Sequence, residues 1–181
     1  MKLPIRAQYR KSSWLSKPFN SGKMRHWLID TGSLTSRLKG RYPDFSVRPV
    51  LLKKAKAFTD ELSQVSLKSN QQALIREVLL MGNEQAVVFA HSVLPYASLR
   101  GEWRGFGKLG NKPLGAALFA NPKVKRTPLE YKKLPRHHPI FMRVTGHVSN
   151  RPNVLWARRS VFQLNCARIL VTEVFLEQLL Q

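Results

Sequence analysis

The sequence predicts an α+β fold, in which a few short helices are followed by one antiparallel β-sheet. The clearest local signal is a hairpin, because residues 74–81 and 84–94 are strand-like runs joined by the turn dipeptide Gly-Asn at 82–83. A second signal is that the later strand-like runs follow one another through hairpin-length turns. Consecutive strands of this kind favour an antiparallel sheet over alternating βαβ units.

The N-terminal region predicts a basic arm and then two helices. Residues 1–25 contain seven Lys and Arg residues and no acidic residue, and two prolines interrupt any long helix. We therefore expect a loosely ordered arm over 1–25, ahead of a domain that spans 26–181. Short helices are predicted over 24–30 and 33–38, with a serine as the N-cap of the second. Two helices joined so tightly are suited to forming a flap over a pocket.

The remaining elements follow from alternation, proline and glycine. Residues 45–52 alternate as a strand, and Pro49 favours a position for that strand at the edge of the sheet. A short helix opened by proline is predicted over 113–119, before a long basic connection over 121–139. Three further strands are predicted, over 141–148, 154–164 and 169–176.

Two charged residues interrupt apolar strands, and they are the strongest functional signal in the chain. Alternation puts Glu173 on the same face as Val171 and Phe175. It likewise puts Arg76 beside Val78 on an apolar face. A buried charge without a partner is costly, so each must be paired. The two side chains either pair with each other or take part in a ligand site, and their spacing leaves both interpretations open.

Composition restricts the partners and the compartment. A chain of 181 residues with 43% hydrophobic residues is expected to form one globular domain. No apolar run is long enough to span a bilayer and no secretory signal is recognisable, so we expect a cytoplasmic protein. The net charge of +21 suits nucleic acid, an anionic membrane surface or an anionic small molecule. The single cysteine, Cys166, is expected to be a buried structural thiol, and the histidine spacing predicts no metal site.

Six short segments, taken together and in order, resemble the chorismate pyruvate-lyase family. They are W-L at 27–28, L-I-R-E-V-L-L at 74–80, A-H-S-V-L-P at 90–95, L-G-N-K-P-L-G at 109–115, W-A-R-R-S at 156–160 and T-E-V-F-L at 172–176. The resemblance implies an antiparallel sheet of about six strands, with the ligand in an internal cavity under two helix-turn-helix flaps.

The resemblance also implies which residues bind the ligand. Arg76 would hold the ring carboxylate of chorismate, and Glu173 would meet the ring hydroxyl. Leu114, in the P-L-G segment, would contact the ligand, as would Leu34 in the first flap. Arg76 and Glu173 are therefore the expected catalytic residues.

The second carboxylate of chorismate, on its enolpyruvyl group, needs a cation as well. The candidates are Arg158, Arg159, His91 and Lys108. Strand residues alternate, so at least one of the two adjacent arginines must face away from the ligand. His91 stands where the family often has arginine, and binding through it would weaken above the pKa of the histidine.

The reaction that the resemblance implies is elimination of pyruvate from chorismate to give 4-hydroxybenzoate, the first step of ubiquinone biosynthesis. Aromatisation of the ring drives it, so no cofactor, metal or covalent nucleophile is expected. The protein has to hold the reactive conformer and stabilise charge on the departing enolpyruvate. Whether Glu173 also removes the ring proton is left open. We expect a monomer whose product leaves slowly through the flap around Leu34 and inhibits it.

Two other functions are compatible with the sequence. The first is a non-catalytic domain of the same fold that senses a small molecule, although the 25 residues before the domain are too few for a winged-helix DNA-binding domain. The second is a nucleic-acid-binding protein, for which the only candidate stacking aromatics among the lysines are Tyr9, Trp14 and Tyr131. No obligatory nucleic-acid partner is expected.

Overall fold

The computed structural model describes residues 13–106, 110, 112–148 and 152–181. Its helices are α1 (Arg25–Leu28), α2 (Leu34–Arg41), α3 (Tyr96–Arg100), α4 (Leu114–Ala120) and α5 (Pro139–Thr145). Its strands are β1 (Ser46–Ala55), β2 (Ala73–Gly82), β3 (Gln85–Pro95), β4 (Lys125–Arg126), β5 (Glu130–Pro135), β6 (Val154–Leu164) and β7 (Ala167–Phe175). Short 3-10 turns at Gly22–Met24 and Glu177–Leu180 precede α1 and follow β7.

The strands form one sheet in which every pairing is antiparallel. Their order is β1-β2-β3-β7-β6-β4, and β5 also pairs with β6. The predicted α+β class with a single antiparallel sheet is confirmed. Strand β1 lies at an edge, as Pro49 indicated, and its register shifts between Pro49 and Leu51. The described residues contain seven strands rather than about six, because β4 and β5 arise from the stretch interpreted as a long connection.

Two segments were assigned the wrong structure from the sequence. Residues 141–148 were predicted as a strand, but the segment from Pro139 is helix α5. The helix buries Ile140, Phe141 and Val144 on one side, and the His138 ring accepts a bond from the backbone N–H of Ile140. Proline at the first helical position was the sequence signal that favoured a helix. Residues 121–139 are rich in lysine and were therefore predicted as a connection, but they contain β5, in which Tyr131 and Leu134 are buried in the sheet.

The central hairpin turns one residue later than the sequence predicted. Asn83 and Glu84 occupy the turn with φ values of 50° and 61°, and both of their backbone N–H groups donate to the Asp44 carboxylate. Gly82 belongs to β2 instead, where the Tyr42 ring packs against its backbone so closely that a Cβ there would lie 2.4 Å from Tyr42 Cγ. Close approach of an aromatic ring, rather than turn geometry, therefore explains this glycine.

Helices α1 to α4 lie on one face of the sheet, which we call the cavity face, and α5 lies on the other, the back face. The predicted pair of N-terminal helices forms, and Ser33 caps α2 by accepting a bond from the backbone N–H of Ser36 at 3.3 Å. Leu28 and Leu38 are fully buried against the sheet in this pair. A leucine buried to that extent contributes about 1.5–3 kcal/mol, so the two helices are anchored to the sheet.

The structure describes only part of the predicted N-terminal arm. The arm predicted over 1–25 lies outside the described residues up to residue 12, and from there on it contacts the sheet, where Leu15 bridges to Tyr131.

Cys166 is exposed in the turn between β6 and β7, so the buried thiol predicted for it is wrong. A two-residue turn carries its side chains outward, whatever their polarity.

Candidate active site

A cavity lies between the cavity face of the sheet and the helices above it. The space between its lining atoms is about 520 Å³, a volume that includes solvent at the opening. Leu34 and Thr35 of α2 and Leu114, Gly115 and Leu118 of α4 form its roof. Its floor comes from residues of neighbouring strands that point to the same face, among them Arg76, Val78, Ser92, Val171 and Glu173. The four residues singled out for ligand contact from the resemblance, Arg76, Glu173, Leu34 and Leu114, all line this one cavity.

Arg76 is 5% exposed and is held by the loop before α4. Its Nη2 donates to the carbonyl oxygens of Gly110 at 3.0 Å and Lys112 at 2.9 Å. Burial lowers the pKa of Arg76 from its ordinary value, yet a guanidinium stays protonated. Within the described residues it forms no ion pair, so its charge is available to an anion in the cavity.

Glu173 lies on β7 directly across the sheet ladder from Arg158, and the two side chains are bonded. The Nε of Arg158 donates to Glu173 Oε2 at 2.5 Å. The Nη1 of Arg158 reaches the first flap, where it donates to the carbonyl oxygens of Trp27 and Asp30 at 2.8 and 2.6 Å. One arginine therefore orients the carboxylate and ties the flap to the floor of the cavity. Arg76 and Glu173 do not pair with each other, and Glu173 pairs with Arg158 instead.

The residues proposed for the second carboxylate do not meet in the cavity. His91 and Arg159 are on the back face, so the expectation for these two is wrong. In each of their strands, residues that face the cavity alternate with residues that face the back, and Ser92, next to His91 on β3, is one that faces the cavity. Arg158 is on the cavity side and fully buried: its Nε and Nη1 are bonded to Glu173 and the flap, and its Nη2 has no partner among the described residues. Lys108 lies outside the described residues.

His91 belongs instead to a buried ionic network behind the site. Its Nδ1 lies 3.0 Å from Glu77 Oε1 and its Nε2 lies 3.2 Å from Glu61 Oε1. Burial by itself would lower the pKa of His91, but the two carboxylates outweigh it and raise the pKa to about 9. Burial would raise the pKa of Glu77, and hydrogen bonds from His91 and Arg143 turn the shift downward. The histidine is therefore a charged structural residue near neutral pH.

Arg159 has a comparable structural role on the same face. Its Nε donates to Glu130 Oε2 at 2.8 Å, and its guanidinium lies over the Trp14 ring at 4.2 Å from the centroid. The Nε1 of Trp14 donates to Asp60 at 2.9 Å. Trp14 and the buried Tyr131 are thus engaged within the fold, and Tyr9 lies outside the described residues. The two described candidates, Trp14 and Tyr131, are therefore not free to stack on bases as a nucleic-acid binder needs.

One cation of the cavity was missed from the sequence. Arg126, on the two-residue strand β4, lines the cavity together with Arg76 and Glu173. It lay in the stretch interpreted as a basic connection, where one arginine among many lysines gives no periodic signal.

Two kinds of feature are not found among the described residues. In the ranges that the structure describes, no cluster of three or more His, Cys, Asp or Glu side chains is placed to hold a metal ion. No helix of the described chain combines the length and apolar character needed to cross a bilayer.

A family model described as chorismate lyase matches residues 3–181. The chain belongs to the chorismate lyase family. The probable chorismate pyruvate-lyase of Thiobacillus denitrificans is 46% identical over 168 residues, which cover 92% of this chain and 90% of that protein. That of Nitrosomonas europaea is 48% identical over 165 residues, covering 91% and 93%. The predicted family is confirmed, and with it the class of enzyme, a carbon–oxygen lyase.

Solved structures with a similar fold come from transcription regulators. The effector domain of PhnF from Mycobacterium smegmatis has a TM-score of 0.55 at 12% identity, covering 83% of this chain and 91% of that one. The C-terminal domain of the histidine utilization repressor from Pseudomonas syringae has a TM-score of 0.54 at 7% identity, covering 74% and 92%. At such low identity these likenesses bear on the fold alone, and membership of the chorismate lyase family rests on the sequence.

Proposed function

We propose that this chorismate lyase family member eliminates pyruvate from chorismate to release 4-hydroxybenzoate, the first step of ubiquinone biosynthesis. The observation that carries the proposal is the arrangement of charge in the cavity. A guanidinium and a carboxylate, Arg76 and Glu173, line one largely apolar cavity without neutralising each other. A ring with a carboxylate at one end and a hydroxyl at the other matches that polarity.

Arg76 is the proposed anchor for the ring carboxylate. Both of its hydrogen bonds come from Nη2, and within the described residues its Nε and Nη1 donate to no other group. Those nitrogens can bind a carboxylate through charge-assisted hydrogen bonds, which are about twice as strong as neutral ones. The two carbonyl bonds fix the guanidinium in place before the substrate arrives, so little side-chain entropy is lost on binding.

Glu173 is the proposed acceptor for the ring hydroxyl. Arg158 occupies its Oε2, and among the described residues its Oε1 accepts no hydrogen bond. A hydroxyl that donates to Oε1 would place the far end of the ring over β7. The chorismate ring would then lie between the two anchors, covered by Leu34 and Leu114.

The elimination balances without a further reactant. The bond between the ring carbon and the ether oxygen breaks, and its electron pair leaves with the enolpyruvate. The hydrogen on the ring carbon that bears the hydroxyl is lost as a proton, and the ring becomes aromatic. One proton is taken up by the methylene carbon of the enolpyruvate, which gives pyruvate. The protein contributes orientation and charge stabilisation in a site that the flap shields from water.

The test is to incubate the protein with chorismate and to follow 4-hydroxybenzoate by ultraviolet absorbance and pyruvate by a coupled dehydrogenase. Equimolar products are expected. Arg76→Gln and Glu173→Gln should each lower kcat/KM by at least about 100-fold, because each removes a charged anchor of the transition state. Arg48→Gln, on the exposed edge strand β1, is the matched control and should behave as the unaltered chain.

Two outcomes would contradict the proposal. If chorismate binds but no pyruvate appears, the domain senses the ligand rather than transforming it. If both cavity variants retain full activity, then the cavity described here is not the site of the reaction.

A further inference from the structure

The cavity contains more positive charge than a singly charged ligand requires. Of its described lining residues, three are charged: Arg76, Arg126 and Glu173. Glu173 is already paired with Arg158, so two guanidinium groups remain for the ligand. Chorismate carries two carboxylates and 4-hydroxybenzoate carries one. Since the proposed function assigns Arg76 to the ring carboxylate, the second carboxylate and the second arginine remain to be matched.

We infer that Arg126 binds the carboxylate of the enolpyruvyl group, and so distinguishes the substrate from the product. The inference rests on the proposed function, because it assigns a part of that same substrate. It takes the place of the earlier candidates His91 and Arg159, which the fold puts on the back face of the sheet.

Arg126 is held in place by the floor and the flap at once. Its Nε donates to Ser160 Oγ on β6 at 2.8 Å, and its Nη1 donates to the carbonyl oxygen of Thr31, between α1 and α2, at 2.8 Å. Its guanidinium carbon lies 5.4 Å from the ring centroid of Phe119 and 5.1 Å from that of Phe162. These contacts orient the side chain without neutralising it.

The remaining nitrogen of Arg126 is what makes it a ligand-binding group. Within the described part of the chain, Nη2 donates to no acceptor, and Arg126 forms no ion pair with a carboxylate. Burial lowers the pKa of Arg126 while the nearby Glu173 opposes the shift, which places the two side chains in one electrostatic environment. A half-buried guanidinium without a carboxylate partner gains most from an anionic ligand.

The sheet register places Arg126 at the correct end of the ring. Arg76 is paired with Ser92, Ser92 with Val171, and Val171 with Ser160, so one straight row crosses β2, β3, β7 and β6. Three strand spacings separate Arg76 from Ser160, which is about 14 Å between their Cα atoms. Ser160 is the residue that holds Arg126. The two arginines therefore lie at opposite ends of the cavity floor.

Glu173 lies in the adjacent row, on the strand next to Ser160. In chorismate the enolpyruvyl ether and the hydroxyl are on neighbouring ring carbons, and both are remote from the ring carboxylate. A ring with its carboxylate at Arg76 and its hydroxyl at Glu173 can place the enolpyruvyl group, on the carbon next to the hydroxyl, toward Arg126. The bond to Thr31 would also make occupancy of this end sensitive to the position of the flap.

The experiment compares a dianionic and a monoanionic ligand on the same variants. For Arg126→Gln, kcat/KM for chorismate should fall about 10- to 100-fold, the effect of removing a charge-assisted hydrogen bond. The Kd of 4-hydroxybenzoate, measured by titration calorimetry, should change less than about twofold, because a residue that does not contact the ligand has only a small effect on its binding. Arg76→Gln should weaken both ligands, because both carry the ring carboxylate.

Arg37→Gln is the matched control for a structural effect. Arg37 also donates to a flap carbonyl, that of His26 at 2.8 Å, but it does not line the cavity. It should leave the ratio of chorismate kcat/KM to product affinity unchanged. Arg126→Lys, which keeps the charge and loses the planar fork, provides a second variant if the glutamine form is unstable, and it should shift the same ratio in the same direction by a smaller factor.

Equal losses of chorismate turnover and 4-hydroxybenzoate binding in the Arg126 variants would overturn the assignment, and so would unaltered chorismate turnover. A failure of the proposed function has a different signature, since the unaltered chain would then not transform chorismate at all.

Discussion

Replacing His91 by glutamine should remove a pH dependence of stability that the buried network creates. His91 is 2% exposed, lies between Glu61 and Glu77, and is stacked on Phe58 with ring centroids 5.3 Å apart. Arg143 of α5 adds a further positive charge to Glu77, with its Nε 3.0 Å from Glu77 Oε1. The carboxylates of Glu61 and Glu77 outweigh that charge, so the proton on His91 is bound more tightly in the folded chain than in the unfolded one.

The sign and size of the effect follow from the two pKa values. The pKa of His91 is raised from 6.5 in the unfolded chain to about 9 in the folded chain, with the carboxylates of Glu61 and Glu77 outweighing the effect of burial. A raised pKa contributes stability that is complete below pH 6.5 and is lost as the pH rises through about 9. Each pH unit between the two values corresponds to about 1.4 kcal/mol, so the whole window corresponds to about 3 kcal/mol.

The assay is urea unfolding at half-unit intervals from pH 6 to pH 9.5. The unaltered chain should lose about 3 kcal/mol of unfolding free energy across the window. His91→Gln should be less stable at pH 6.5 and should have a flatter profile between pH 7.5 and 9. His26→Gln is the matched control, because His26 is exposed on α1, and it should keep the full dependence.

Parallel profiles for the unaltered chain and His91→Gln would refute the reasoning. They would mean that His91 is neutral in the folded protein and that the two carboxylates obtain their stabilisation elsewhere.

Three further outcomes are expected. Gly82→Ala should lower the unfolding free energy by about 1–3 kcal/mol, because the new Cβ would overlap the Tyr42 ring. Gly40→Ala, where a Cβ meets nothing within 4 Å, should raise it by about 0.5–1 kcal/mol. Equal effects of the two substitutions in chemical denaturation would contradict the packing argument. Arg158→Met leaves Glu173 without its partner and should cost about 3–5 kcal/mol in the same assay, and a cost below about 1 kcal/mol would show that the pair is dispensable. Leu34→Ala opens the roof of the cavity and should speed product release. Quenched-flow kinetics should then show a product burst in the unaltered chain and none in the variant. The absence of a burst in both would exclude release as the slow step.

Much of the sheet and its two most informative charges could be predicted from local sequence. Strand β2 was recognisable by its apolar run, and alternation then placed Arg76 on the same face as Val78 without any knowledge of the fold. The same rule grouped Glu173 with Val171 on β7. Strand parity is a local property, since it depends only on successive side chains pointing to opposite faces.

Parity does not say which face will contain the cavity. From the sequence alone, His91 and Arg159 were reasonable candidates to bind a carboxylate. In the structure the helices that cover the cavity lie on the opposite side of the sheet from both residues. The choice depends on where α1 to α4 lie, which strand alternation does not determine. Prediction also failed where composition concealed structure, as at Arg126 in a stretch rich in proline and lysine.

The sequence by itself determined the family, the single antiparallel sheet, and the presence of one acid and one base on apolar strand faces. The tertiary structure decided their partners: Arg158 for Glu173, and two loop carbonyls for Arg76. It also decided that Arg126 joins them in the cavity. The physical reason is that a hydrogen bond acts over about 3 Å, while the groups that form these bonds are 15 to 36 residues apart in the chain, so only the strand order and the loops bring them within range.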